Sequence, residues 1–416
     1  MEPAEVPLSR EELALRDRHD PLATFRSRFH LPEKTLYFDG NSLGPLPRNV
    51  QQHLAEVVGG QWGEDLIQSW NRHGWIHWPR RVGRKIARLV EAGEDDVVVA
   101  DSTSINLYKL LANALALRPD RSVILTDDGQ FPTDVYMAQG LCEGRPEARV
   151  KVVPRADLVG ALDENVAVVL LGQVDFKTGE LLPMVDINRA VRAVGALSLW
   201  DLAHSAGALP VDLEGSRTDL AVGCGYKFLN GGPGAPSFLY VAPELQEASR
   251  SPLSGWLGHR DPFAFDLRYQ PAEGIDRFQC GSPPILSLAA LDAGLEAFEG
   301  VDLHQVRRKS QDLGDLFLRL VDERCVGLGL GMVSPRDRER RGSQISLRHP
   351  QGFAVMQALI ERGVVGDFRT PDVLRFGLTP LYQRYTDVWD AVENLREVLE
   401  GREWDRPRFQ RRGKVT

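Results

Sequence analysis

Asp201 and Lys227 each lie just beyond an apolar, β-rich run, ALSLW before the carboxylate and LAVGCG shortly before the amine. A lone charge is costly to bury, so such residues at strand ends belong in a crevice, and in α/β sheets the crevice lies at the carboxyl ends of the strands. Both side chains can therefore face one pocket. The chemistry such a pair supports is that of pyridoxal 5′-phosphate (PLP). The lysine amine bonds to the cofactor's aldehyde, while the carboxylate keeps the pyridine nitrogen protonated so that the ring accepts electrons. Gly225, Gly231, Gly232 and Gly234 keep the backbone around Lys227 compact, and Tyr226 adds a hydroxyl able to bind phosphate. An Asp and a Lys on unrelated surface loops is the competing reading. The glycine-rich lysine segment and the DLAHSAG context around Asp201 argue against it.

Further candidates follow strands in the same way. VVVAD, residues 97–101, precedes STSINLYKLLANALALR, whose apolar positions fall at helical spacing after a hydroxyl-rich start. A strand running into a helix presents free amides, so Thr103 and Ser104 are either phosphate-binding residues or ordinary caps. After SVILTD comes FPTD, where Phe131 is either a core side chain or a ring that stacks on a flat cofactor. Asp134 is either a helix-start charge or a second carboxylate near the ring nitrogen. Between Trp62 and Trp78 tryptophans and histidines cluster, a packing surface of which one or two residues could face an aromatic substrate.

The elements that must position these residues are legible. VVVAD, SVILTD, VKVV, VAVVLLGQV, LSLW, LAVGCG and SFLYVA form a series of seven strands. Long apolar runs instead of strict alternation predict a mostly parallel sheet covered by helices on both faces, the large domain of an α/β fold. Beyond Cys280 long helices take over, followed by the strands SQISLRH and VLRFGL between further helices, a smaller α+β domain. The expected division is an N-terminal arm with part of the small domain over 1–60, the large domain over 61–295 and the small C-terminal domain over 296–416. Residues 1 to about 36 read as a polar, helix-prone arm, then a short strand at Tyr37 and Phe38 and a compact turn from Asp39.

Composition excludes several classes. A chain of 416 residues has ample length for a core, and a net charge of −8 without a long basic run argues against nucleic acid as the main partner. Four widely spaced cysteines without CxxC indicate neither a disulfide framework nor a zinc site, so no metal is expected. The acidic N-terminus lacks the pattern of a signal peptide, and no apolar run approaches membrane-spanning length. The expectation is a cytoplasmic protein.

DGNSLG from Asp39, STSIN, FPTD, WDLAHSAGALPVDL, GCGYKFLNGGPG, LSGWLGH and RFGLTPLY together resemble kynureninase, over nearly the whole chain from Asp39 onward. The Asp and Lys alone would indicate only a PLP enzyme of the aspartate aminotransferase fold (fold type I). The resemblance implies PLP-dependent hydrolysis of L-kynurenine, and of its 3-hydroxy form, to the anthranilate and L-alanine, in tryptophan catabolism and NAD biosynthesis. It also implies a homodimer with active sites at the subunit interface. Lys227 would hold PLP and act as base, and Asp201 would pair with the ring nitrogen with support from Asp134. His204 would contact the cofactor, Phe131 would stack on it, and Pro132 and Thr133 would belong to the same cofactor-binding segment. Thr103, Ser104 and Tyr226 would bind phosphate, the tyrosine also being placed to relay protons, with Trp256 and Ser282 completing that site from the neighbouring chain. Arg375 would grip the substrate carboxylate through its bidentate fork. Ser282 stands where relatives carry Asn or Thr, and Gly172 where they carry a small hydroxyl residue. Another fold type I enzyme, a cysteine desulfurase or an aminotransferase, is the alternative, and a protein of this fold that only binds is the third.

Overall fold

A computed structural model describes residues 8–411. The chain forms two compact units, residues 46–176 with 180–299, and residues 1–45 with 177–179 and 300–416. The boundaries lie at 45/46 and 299/300, where the sequence placed them at 60/61 and 295/296. The helical stretch after Pro45 packs against the helix Ile285–Leu295 and so belongs to the larger unit.

The larger unit is built on one seven-stranded sheet. Its strands are β1 (Val97–Val99), β2 (Val123–Asp127), β3 (Arg149–Val153), β4 (Val166–Gly172), β5 (Leu197–Asp201), β6 (Leu220–Cys224) and β7 (Ser237–Val241). In space they run β1-β7-β6-β5-β4-β2-β3. The neighbours from β3 to β6 pair in parallel, and β7 runs antiparallel between β6 and β1. All seven expected strands are present. Parallel pairs need crossovers, supplied by helices such as α1 (Thr103–Leu117), α2 (Pro132–Glu143) and α3 (Met184–Ala193). Val, Leu and Ala side chains of the central strands and the apolar face of α1 form the core, including Leu107, Leu110, Val168, Leu170, Leu199 and Val222.

Two topological facts position the site. β4, β5 and β6 are adjacent and parallel, with Gly172 opposite Asp201 and Asp201 opposite Val222, so their carboxyl ends lie side by side. The antiparallel β7 makes the chain turn back directly after β6. That turn, residues 225–236, carries Lys227; it needs left-handed backbone at Gly232 (φ +80) and Gly234 (φ +76), conformations glycine adopts without steric cost.

The smaller unit packs α5 (Leu303–Arg324), α6 (Gly352–Glu361) and α7 (Tyr385–Glu400) with a four-stranded antiparallel sheet of β8 (Gly331–Met332), β9 (Gln344–Arg348), β10 (Asp367–Arg369) and β11 (Val373–Gly377), in the order β8-β9-β11-β10. Its core joins Phe317, Ile345, Val355, Phe376 and Val388. The N-terminal arm contributes a helix, Arg10–Arg18, started by a Ser9/Glu12 capping box and packed on α7. The arm's first seven residues lie outside the described part. The short strand is Leu36–Tyr37, one residue earlier than expected, because it pairs in parallel with Val364–Val365 and Phe38 turns into the core.

Candidate active site

One pocket of the larger unit is lined by Asp201, His204 and Lys227, with Gly129, Gln130, Phe131, Arg155, Gly172, Val174, Asp175 and Phe176. Asp201 ends β5, and its Oδ1 accepts the Ala203 N–H at 2.9 Å, which starts the tight turn carrying His204. The imidazole Nε2 of His204 stands 3.0 Å from Lys227 Nζ. A primary amine and a strand-end carboxylate thus line one pocket.

Behind Asp201 stands Asp134, in the first turn of α2 and buried. Burial, then the nearby Asp201 charge, push the Asp134 carboxyl well above the ordinary carboxylate range, against the pull of Gln130 and Lys227. Burial also raises Asp201, while the Lys227 charge, the Ala203 amide and a hydrogen bond from Asp134 hold it back. The Asp134 carboxyl is thus pushed up by its burial beside the Asp201 charge, while Asp201 is held back by Lys227, the Ala203 amide and Asp134. A carboxylate held this way is suited to a ring N–H⁺ partner.

Phe131 is 44% exposed at the pocket and meets Phe176 edge to face, with ring centroids 5.2 Å apart. Its own surface stays free to cover a flat ligand. Pro132 is the first residue of α2, and Thr133 follows it, partly buried. Thr103 and Ser104 open α1; the capping side chain is that of Ser102, which accepts the Ile105 N–H at 3.4 Å. The cap is thus one residue earlier than the pair singled out, and the Thr103 and Ser104 amides are among those a helix start leaves to an anion. Tyr226 is partly buried beside Cys224, its ring centroid 5.9 Å from Lys227 Nζ, and burial raises its phenol well above the ordinary range. It does not line the pocket.

Trp256 and Ser282 are exposed and also stand outside this pocket. Arg375 lies on β11 of the smaller unit, buried, its Nε 2.6 Å from Asp367 Oδ1 and its Nη2 bonded to Asp367 and, at 3.2 Å, to Ser42 Oγ. A fork-to-carboxylate pair orients this guanidinium. Of the tryptophans and histidines from Trp62 to Trp78, Trp70, Trp75 and Trp78 pack edge to face on one another and His73 pairs with Asp65. The packing reading accounts for these residues.

Several pocket residues were not singled out from sequence. Arg155, just after β3, bonds Asp127 at 2.6 Å, Asp175 at 2.8 Å and Glu180 at 2.9 Å, tying together the ends of β2 and β3 and the segment after β4. The signal available for it was position: Asp127, Arg155 and Asp175 all stand at or just beyond the carboxyl ends of strands.

The pocket residues fit PLP by their chemistry, with an amine for the aldehyde, a carboxylate for the ring nitrogen and an exposed aromatic ring; Thr103 and Ser104 do not line this pocket. Among the described residues no cluster of His, Cys, Asp and Glu could hold a metal.

A family model described as the kynureninase C-terminal domain matches residues 306–395. The chain is 50% identical to a kynureninase of Burkholderia mallei (strain SAVP1) over 98% of its own length and 100% of the relative's. It is 45% identical, with the same coverage, to a kynureninase of Pseudomonas fluorescens. Among solved structures, an apo cysteine desulfurase from Thermococcus onnurineus NA1 superposes with a TM-score of 0.77, covering 91% of this chain and 98% of that one at 18% identity, which is a likeness of fold. End-to-end identity at this level places the match in the whole chain and not in one domain: the protein belongs to the kynureninase family.

Proposed function

We propose that this chain is a PLP-dependent hydrolase that cleaves L-kynurenine, and 3-hydroxy-L-kynurenine, to the corresponding anthranilate and L-alanine, a step of tryptophan degradation. The observation that carries this reading is the convergence of Lys227, His204 and Asp201 in one pocket of a chain alike to kynureninases end to end. The reaction adds water across the Cβ–Cγ bond: hydroxyl goes to Cγ, which becomes the anthranilate carboxylate, and a proton goes to Cβ, which becomes the methyl of alanine. Bound PLP supplies the electron sink that makes Cα and Cβ acidic.

The chain's own residues do the rest. Lys227 Nζ would anchor the cofactor and would hold the proton taken from the substrate Cα. Asp201, with the Asp134 hydrogen bond behind it, holds the proton on the ring nitrogen. Phe131 would cover the ring, within the cofactor-binding segment that Pro132 and Thr133 complete, and His204 would contact the cofactor beside Lys227. The amides of Thr103 and Ser104 and the Tyr226 hydroxyl bind the phosphate, and the same hydroxyl is placed to relay a proton. Arg375 holds the substrate α-carboxylate. Trp256 and Ser282 complete the phosphate site of a partner subunit in a homodimer, an assignment supported by their exposure outside their own pocket. A cytoplasmic setting belongs to the same reading, supported by four free cysteines. Among the described residues no helix is long and apolar enough to cross a membrane.

The test is direct. Protein mixed with PLP and L-kynurenine should release anthranilate fluorescence and alanine in equal amounts, and Lys227→Ala should abolish both together with the visible absorbance of bound PLP. Release of sulfur from cysteine instead would favour the desulfurase alternative, against which stands a pocket that no cysteine lines.

A further inference from the structure

Gln130 lies between β2 and α2, buried at 8% exposure, and its side-chain amide is used at both ends. Nε2–H donates to Asp134 Oδ2, and Oε1 accepts the Gly172 N–H at 2.7 Å. An amide carries the donor that the carboxyl oxygen needs on one side and the acceptor that the backbone N–H needs on the other. Gly172 is also the residue directly opposite Asp201 in the β4–β5 ladder. Gln130 therefore spans from the carboxyl behind the site to the strand end beside it.

The loop that carries Gln130 is itself held. Asp127 Oδ1 accepts the Gly129 N–H at 3.1 Å, while Arg155 Nε donates to Asp127 Oδ2 at 2.6 Å. A Cβ on Gly129 would fall 2.0 Å from Arg155 Nη2 and 2.7 Å from Asp175 Oδ2, so this backbone is packed directly on the Arg155 cluster. A side chain anchored in such a loop has few other places to go, and it transmits that rigidity to what it bonds.

We propose that Gln130 is a positioning residue that fixes the Asp134 carboxyl in the orientation facing Asp201, and so sets how firmly Asp201 holds the ring nitrogen of PLP. The inference rests on the PLP reading above. It assigns Gln130 no contact with substrate.

Gln130→Met, close in size but unable to make either bond, should weaken PLP retention about tenfold and lower kcat by a similar factor while leaving the KM for L-kynurenine within about twofold. Gln130→Glu keeps the shape but sets a carboxyl against a carboxyl, and it should be impaired at least as much. In an Asp134→Asn background the further effect of Gln130→Met on PLP dissociation, read from visible absorbance and independent of turnover, should shrink to about twofold or less. An equal effect in both backgrounds, or normal PLP affinity in Gln130→Glu, would overturn the proposal, because packing or shape would then be sufficient. If the unsubstituted protein showed no Lys227-dependent absorbance with PLP, the parent reading would fail and this one with it, an outcome distinct from normal binding by all Gln130 variants.

Discussion

At the scale of single residues, the site depends on carboxyls whose proton affinity is set by their surroundings. Asp201→Asn keeps the shape at the end of β5 but removes the charge that a ring N–H⁺ would meet. Turnover should fall by about 10²–10⁴-fold with the thermal midpoint little changed, and Cα-proton exchange followed by NMR is the measurement. Exchange at the unsubstituted rate would remove Asp201 from that role. Asp39, in the smaller unit, makes a different prediction. Burial, then repulsion from Asp367, raise its carboxyl from 3.8 to about 7, against the Ser42 hydrogen bond and the charges of Arg375 and Arg369, and its Oδ1 is buried without a hydrogen-bond partner. The folded state keeps this proton at a pH where the unfolded chain has lost it. The resulting stability is fully present below about pH 4 and is lost as pH rises toward 7. Asp39→Asn has no charge to bury, so relative to the unsubstituted protein it should gain several degrees in thermal midpoint between about pH 5 and pH 8. A difference that does not vary with pH would show that Asp39 is not held protonated.

At the scale of elements, the decisive one is the turn between β6 and β7. Gly225 opens it, accepting the Gly231 N–H at 2.8 Å, and a Cβ there would meet the Pro236 carbonyl at 2.5 Å and Leu291 Cδ2 at 3.0 Å. The carbonyl is backbone leading into β7 and cannot step aside as a side chain would. Gly225→Ala should therefore cost about 1–3 kcal/mol and shift the segment that carries Tyr226 and Lys227. Calorimetry and PLP titration should fall together. A loss of stability with normal PLP affinity would mean that the strain is absorbed elsewhere.

At the scale of the whole molecule, the proposed homodimer accounts for apolar surface that one chain leaves in water. Trp256 (36% exposed), Phe263 (60%) and Phe265 (78%) lie on one stretch, their rings edge to face, with Leu267 exposed just beyond. Sedimentation should give twice the chain mass. Phe263→Asp with Phe265→Asp should shift the protein toward monomer and weaken PLP binding, since the neighbour's Trp256 and Ser282 would leave the phosphate site. A dimer unaffected by both charges would place the interface elsewhere.

The seven strands of the large α/β sheet were legible because they rest on local causes: apolar runs of strand length and glycines where the chain must turn. The family resemblance added roles to motifs already visible. What no stretch of sequence contains is the adjacency of β4, β5 and β6, which sets Gly172, Asp201 and Lys227 beside one another. Neither does it contain the Arg155 cluster, whose carboxylates come from separate segments, nor the bond from Gln130 to Gly172. Local propensity determines which elements form and what each can offer chemically. Which of them meet is decided by burial shared between distant segments, a property of the packed chain alone.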